Sequence, residues 1–203
     1  MLAFSAWTLA GTAPADAKKM IEDTTNDVLA ALTKQKETLK ADPKHVYKIV
    51  DSLVLPRFDF ARMSKFVLGT HWKTATPAQQ KHFVEAFRDL LVRTYSTALV
   101  EAAGEHLKVN YLPIQNGGAP RITLKTEVAQ GNAKPITVEY AMYVPDAQWM
   151  KEWNISTAGW KVYNVTIEGV SLVTNYRTEF GNDVEKIGMD GLIKKVQSKQ
   201  IEK

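Results

Sequence analysis

The chain has 203 residues, of which 45% are hydrophobic and 24% charged; its 26 basic and 22 acidic side chains give a net charge of +4. This composition suits a single domain with a sizeable core and excludes a disordered or collagen-like chain. The basic residues form no run longer than a pair, which argues against nucleic acid as a partner, and the absence of cysteine excludes disulfides, thiolate chemistry and sulfur-ligated zinc.

In chain order, "LAFSAWTLAG" is a short apolar run, and "TAPADA" places small residues at Ala13, Ala15 and Ala17 in an A-x-A-like cleavage pattern. Residues 1–17 therefore read as the remnant of a signal peptide, although no Lys or Arg precedes Lys18, and 18–203 as one mature domain. No other stretch is apolar for the eighteen or so residues a membrane span needs. Residues 18–40 predict an amphipathic helix with Ile21, Val28, Leu29 and Leu32 on one side. Asp42-Pro43 starts a second helix through about Leu53, Leu55-Pro56 breaks it, and Phe60, Met63 and Val67 mark a third that ends at Gly69. Thr76, Pro77 and Gln79 form a capping box for a long helix closed at Gly104. Its stripe is Phe83, Phe87, Leu90, Leu91, Tyr95, Ala98 and Ala102, which by itself reads as core packing.

Strands follow: Leu107–Gln115, then a turn at Asn116-Gly117-Gly118, then the alternation of Ile122, Leu124 and Val128. After a second turn at 131–135, Ile136, Val138, Tyr140, Met142 and Val144 alternate again. Residues 145–159 read as a long loop. From Trp160 to Ile167 the pattern is that of a strand, and after Gly169 the residues Val170, Val173, Tyr176 and Phe180 recur at helical spacing. Asp190-Gly191 precedes a short basic helix within about 190–201. Helices over 18–104 and strands over 105–180 predict an α+β fold.

Chemistry-bearing motifs are scarce. There is no phosphate-cradling loop, and "EGVSL" lacks the second glycine of a nucleophile elbow, leaving Ser171 as a helix-start residue. Glu101, Glu105 and His106 read as a solvated helix end, with no metal implied. Asn154-Ile155-Ser156 and Asn164-Val165-Thr166 match a glycosylation pattern that arises often by chance. An enzyme would need an acid or base on the inward face of the strands, yet 136–144 offers none there, since Glu139 falls on the opposite face.

Three ordered blocks carry a resemblance: "GTHWKTATPAQ" at 69–79, "FVEAFR" at 83–88 and "EGVS" at 168–171. Over about 18–195 the chain resembles the MlaC, or toluene-tolerance auxiliary, family of periplasmic phospholipid-binding proteins. The resemblance implies a curved antiparallel NTF2-like sheet backed by helices, with an apolar lipid cavity between them, no catalysis and no cofactor. It further implies a periplasmic carrier that shuttles phospholipid between an outer-membrane lipoprotein–porin complex and an inner-membrane ABC transporter with its substrate-binding component. It leaves a hopanoid-type lipid as the alternative cargo and an NTF2-like enzyme as the rival function. The segment 145–159, with Trp149, Met150 and Trp153, looks longer than the family pattern. Periodicity combined with the resemblance selects pocket walls at Phe60, Met63, Phe87, Leu91, Tyr95, Val138, Tyr140, Met142, Val165, Ile167, Val170 and Val173, with the Tyr95 and Tyr140 hydroxyls available to an ester or head group.

Overall fold

The computed structural model describes residues 12–102, 107–116, 120–131 and 134–198. Helix α1, Pro14–Lys34, starts with proline in its first turn and buries Ala17, Ile21, Val28 and Leu32 along one stripe. Residues 14–17, read above as the end of a leader, are thus the first turn of α1. Ala17 is fully buried, and the Trp160 indole donates to the Ala13 carbonyl at 3.0 Å. Gln35 interrupts the helix expected over 18–40, and α2, Lys36–Ala41, follows it.

The next stretch changes winding repeatedly. A 3₁₀ turn at Pro43–His45 leads into α3, Val46–Ile49, then a π-helical turn at Val50–Val54 and another 3₁₀ turn at Leu55–Arg57. Helix α4, Phe60–Leu68, is capped by the Asp59 carboxylate, which accepts from the Arg62 backbone N–H at 2.8 Å. It ends at Gly69, whose φ of 56° favours glycine and which lies against the Arg177 guanidinium. The short α5, His71–Thr74, precedes α6, Pro77–Ala102. The capping box expected there is present: Gln79 N–H donates to Thr76 Oγ1 at 3.2 Å, and Thr76 N–H to Gln79 Oε1 at 3.0 Å. The residues expected to close α6 and form a solvated end, Gly104, Glu105 and His106, lie outside the described residues.

Among the described residues the strands are β1 (Leu107–Tyr111), β2 (Gln115–Asn116), β3 (Arg121–Gln130), β4 (Ile136–Tyr143), β5 (Lys161–Ile167) and β6 (Val170–Ser171). They form one antiparallel sheet in the order β1-β3-β4-β5-β6, with β2 beside β3. The fold is therefore α+β, as the order of helical and alternating segments predicts. The expected 145–159 loop instead contains α7, Ala147–Glu152, capped by Asp146. Helix α8, Leu172–Ser198, is two helices meeting at a kink at Gly188 (φ 71°), so the expected short C-terminal helix is present, with Asp190-Gly191 inside its start rather than before it.

Directly opposed residues of antiparallel strands share a face, so the register defines rows across the sheet. One row is Ile122–Met142–Val162 and the next Leu124–Tyr140–Val165. A third runs Tyr111–Thr126–Val138–Ile167–Val170, and a fourth Val109–Val128–Ile136. A bulge in β5 between the first two rows turns both Val162 and Val165 inward, three positions apart. The opposite face is polar, with Lys125 paired to Glu139 at 3.1 Å.

Three apolar clusters organise the interior. One joins α4, α6 and α8 around Phe83, Phe87 and Phe180. A second joins α1 to the sheet around Ile122, Leu124, Met142 and Val162. The third joins α1, α2 and α3 around Leu32, Leu39, Val46 and Val50.

Candidate functional site

The three clusters do not close completely on one another, and a partly open cavity of about 280 Å³ remains where they meet. Val50, Val54 and Leu55 come from the π turn and its 3₁₀ continuation, and Phe58, Phe60 and Met63 from the start of α4. The C-terminal half of α6 contributes Leu91, Val92, Tyr95, Ser96 and Leu99; the sheet contributes Val138, Tyr140, Val165 and Ile167, and α8 its first residue, Leu172. None of these side chains is charged. Ile136 and Val170, 45% and 56% exposed, continue the apolar rows beyond the cavity to the surface.

Of the twelve residues selected from the sequence, eight line this cavity: Phe60, Met63, Leu91, Tyr95, Val138, Tyr140, Val165 and Ile167. The other four stand elsewhere. Phe87 is fully buried one turn before Leu91, stacked on Phe83 at 5.8 Å and edge-on to Phe180 at 6.0 Å, where no space is left. Met142 is also fully buried, in the row that α1 and Trp160 cover. Val173 packs against the α4–α6–α8 cluster. Val170 lies on the edge strand β6, outside the cavity.

Sequence reasoning missed Val50, Val54, Leu55, Phe58, Val92, Ser96, Leu99 and Leu172. On α6 the wall includes a second line, Val92–Ser96–Leu99, beside the stripe of Leu91 and Tyr95. Its spacing of four and three was legible, but the polar Ser96 hid it. Val50, Val54 and Leu55 lie in and just after a π turn, whose wider winding breaks the 3.6-residue period used to find them.

The polar groups at the wall are few. Tyr140 retains accessible surface, but that surface is cavity wall, and burial pushes its hydroxyl up to about 12, partly offset by a hydrogen bond with Thr126. The Tyr95 hydroxyl pairs with that of Tyr176, itself raised by burial first and then by this contact. Both tyrosine hydroxyls are thus already engaged within the protein.

The tryptophans of α7 serve a different site. The hydroxyl of Tyr143 and the indole N–H of Trp149 (2.7 Å) both donate to Oδ2 of the buried Asp59. The Arg62 guanidinium lies 3.8 Å over the Tyr143 ring. Trp149, Trp153 and Trp72 then follow at ring separations of 5.7 and 5.5 Å. The 145–159 segment is therefore fastened to the start of α4. Burial and then the Asp59 carboxylate hold the Tyr143 proton well above its ordinary range. Among the described residues no group of three His, Asp or Glu side chains could hold a metal.

Comparisons with known proteins agree with this geometry. A family model described as MlaC protein matches residues 22–198. The chain is 26% identical to toluene tolerance protein ttg2D of Pseudomonas putida over 94% of this chain and 81% of that protein. It is 22% identical to the intermembrane phospholipid transport system binding protein MlaC of Haemophilus influenzae over 88% of this chain and 79% of that protein. A solved structure of a phospholipid-binding protein from Ralstonia solanacearum, in complex with a phospholipid, superposes with a TM-score of 0.77 at 27% identity, covering 91% of this chain and 97% of that one.

Proposed function

This chain belongs to the MlaC family, and from that premise we propose that it is a phospholipid carrier whose cargo rests its acyl chains in the cavity between α6, the 50–58 turns and the sheet. The observation that carries the reading is a partly open cavity walled by apolar side chains with no charge among them. The family carries lipid and breaks no bond, so a catalytic group is not needed in that wall.

Energetics define the task. A diacyl phospholipid presents about thirty methylene groups, each worth roughly 0.8 kcal/mol when removed from water. Passage through water unaided is therefore negligible, and a dry chamber offsets that cost. The cavity of about 280 Å³ is partly open, so part of the cargo lies outside it. The remainder of the cargo extends along the exposed apolar rows toward Ile136 and Val170.

The carrier works in the periplasm, receiving and delivering lipid between an outer-membrane lipoprotein–porin complex and an inner-membrane ABC transporter with its substrate-binding component. No helix among the described residues is long and apolar enough to cross a membrane. Export implies removal of a leader. Because Ala17 is buried and the Ala13 carbonyl is held by Trp160, the cut falls before Ala13 rather than after Ala17. N-terminal sequencing of exported protein tests this, and a chain starting at Lys18 contradicts it.

The test of the main reading is mass spectrometry of organic extracts from natively purified protein. Phospholipid close to one per chain is expected, together with a lower melting temperature after delipidation, because a ligand bound only by the folded state stabilises it. Extracts without lipid, with unchanged melting, overturn the reading; a hopanoid in the extract replaces the cargo.

A further inference from the structure

The lipid cavity has a deep end, and two of its walls agree on where it lies. Along β4, exposure rises from the fully buried Met142 through the half-buried Val138 to the exposed Ile136. Along α6 it rises in step, from the buried Phe87 and Leu91 to the half-buried Tyr95 and Leu99. Phe58 stands at the closed side of both gradients. Its backbone bridges to Val162, in the filled row with Met142, and its ring packs against both the helical cluster and the sheet cluster. The Phe60 ring stacks on it at 5.8 Å.

Behind these rings lies a second cavity of about 230 Å³. Phe58 and Phe60 alone, among the described residues, line both spaces, so the stacked pair is the partition between them. The two spaces differ in kind. No charged side chain lines the first, whereas Asp59, Arg88 and Lys161 line the second. An acyl tail pushed past the rings strips water from those charges, which is costly. The partition is also held firmly. Asp59, between the two phenylalanines, donates its N–H to the Val162 carbonyl at 2.9 Å, and its carboxylate accepts from Tyr143 and Trp149. A wall anchored to β5, β4 and α7 at once has a fixed depth.

We propose that Phe58 and Phe60 are specificity-determining residues whose stacked rings form the floor of the lipid cavity and set the longest acyl chain that the carrier covers. Tails entering from the exposed apolar rows meet that floor with their terminal methyl groups. This assignment rests on the carrier reading above and adds chain length to what the site selects.

The experiment equilibrates the full chain, delipidated, with fluid vesicles holding equimolar dimyristoleoyl, dipalmitoleoyl, dioleoyl and dieicosenoyl phosphatidylglycerol, and counts bound species by native mass spectrometry. A lipid leaving a membrane gives up the burial of every methylene, roughly fourfold in equilibrium constant for each, and recovers it only where the protein covers the chain. The wild type should therefore load the lengths below a cut-off about equally and the next homologue roughly threefold less or lower. Phe60→Ala adds the space of one ring and should move the cut-off up by at least one step of the series. Phe60→Leu removes fewer atoms; it should weaken the discrimination at the cut-off, and it decides the question if the alanine variant does not fold. A wild type that loads every length equally, or a folded variant that keeps the wild-type cut-off unchanged, overturns the assignment while leaving the carrier reading intact. A folded wild type that takes up none of these lipids overturns the carrier reading, and this assignment with it.

Discussion

The inner face of the sheet has two ends built from the same kinds of residue. At one, Ile122, Met142 and Val162 are 3%, 0% and 0% exposed, beneath Ala17, Ile21 and Trp160. At the other, two rows away along β4, Val138 and Ile167 face a cavity. Neither hydrophobicity nor β-propensity separates Met142 from Val138. The difference lies in what the chain sets opposite them. Ala17 and Ile21 at the start of α1 pack on the first end, whereas the π and 3₁₀ turns at 50–57 and the C-terminal half of α6 leave a cavity over the second. A cavity is therefore a property of the covering elements rather than of the strand beneath.

The largest break in that comparison is a charge placed at the filled end. Met142→Glu buries a carboxylate with no partner, at a cost of several kcal/mol against a total stability of about 5–15 kcal/mol. It should abolish cooperative folding as followed by circular dichroism. A folded Met142→Glu protein would mean that this end also has room.

Truncation gives a smaller contrast. Phe87→Ala removes a ring enclosed by Phe83, Tyr176 and Phe180 and should cost about 3–5 kcal/mol. Ile167→Ala deletes atoms that already border empty space, so it should cost about 1 kcal/mol, below the ordinary range for a core isoleucine. Denaturant titration of the two variants compares them directly, and equal losses would mean that the cavity is filled by side chains in solution.

Alkaline pH gives the smallest effect. Tyr140 in the cavity wall and Tyr143 and Tyr176 in packed surroundings all hold their protons more tightly folded than unfolded. Their contribution is intact below the unfolded value of about 10 and is lost as pH rises from there toward the folded value, about 12 for Tyr140. Lys161, lowered by burial and then by Arg57, acts in the opposite sense, adding stability as pH approaches 10.5. Tyrosinate absorbance from these three rings should therefore appear together with unfolding, and later in lipid-loaded protein for Tyr140. Absorbance developing fully near pH 10 in folded protein would contradict their burial.

These contrasts mark how far the sequence could be read. The capping box at Thr76–Gln79, the stop at Gly69 and the alternation of Ile136 to Met142 have local causes, and each element appears where those causes place it. The face of β4 was legible; the depth along it was not, because Val138 and Met142 differ only in what crosses above them. Likewise Phe87 and Leu91 share a helical stripe, but Phe87 is enclosed by the rings of Phe83, Tyr176 and Phe180 while Leu91 borders the cavity. Helix α7 was read as a loop because its Trp149 anchor, Asp59, is ninety residues away in the chain. The Val50–Leu55 wall was obscured by a local change of helical period. Membership of the family was legible because three motifs occur in order, and that order is independent of packing depth.

The most direct test of the central claim is the lipid-to-protein ratio of folded Val138→Glu beside that of the wild type, each purified natively and weighed intact by mass spectrometry. At an open end the new carboxylate faces the cavity, admits water and stays ionised, so the account predicts a folded variant with almost no bound phospholipid and a wild type carrying about one per chain. A Val138→Glu protein that unfolds as Met142→Glu does, or one that folds and keeps its full lipid load, would contradict it.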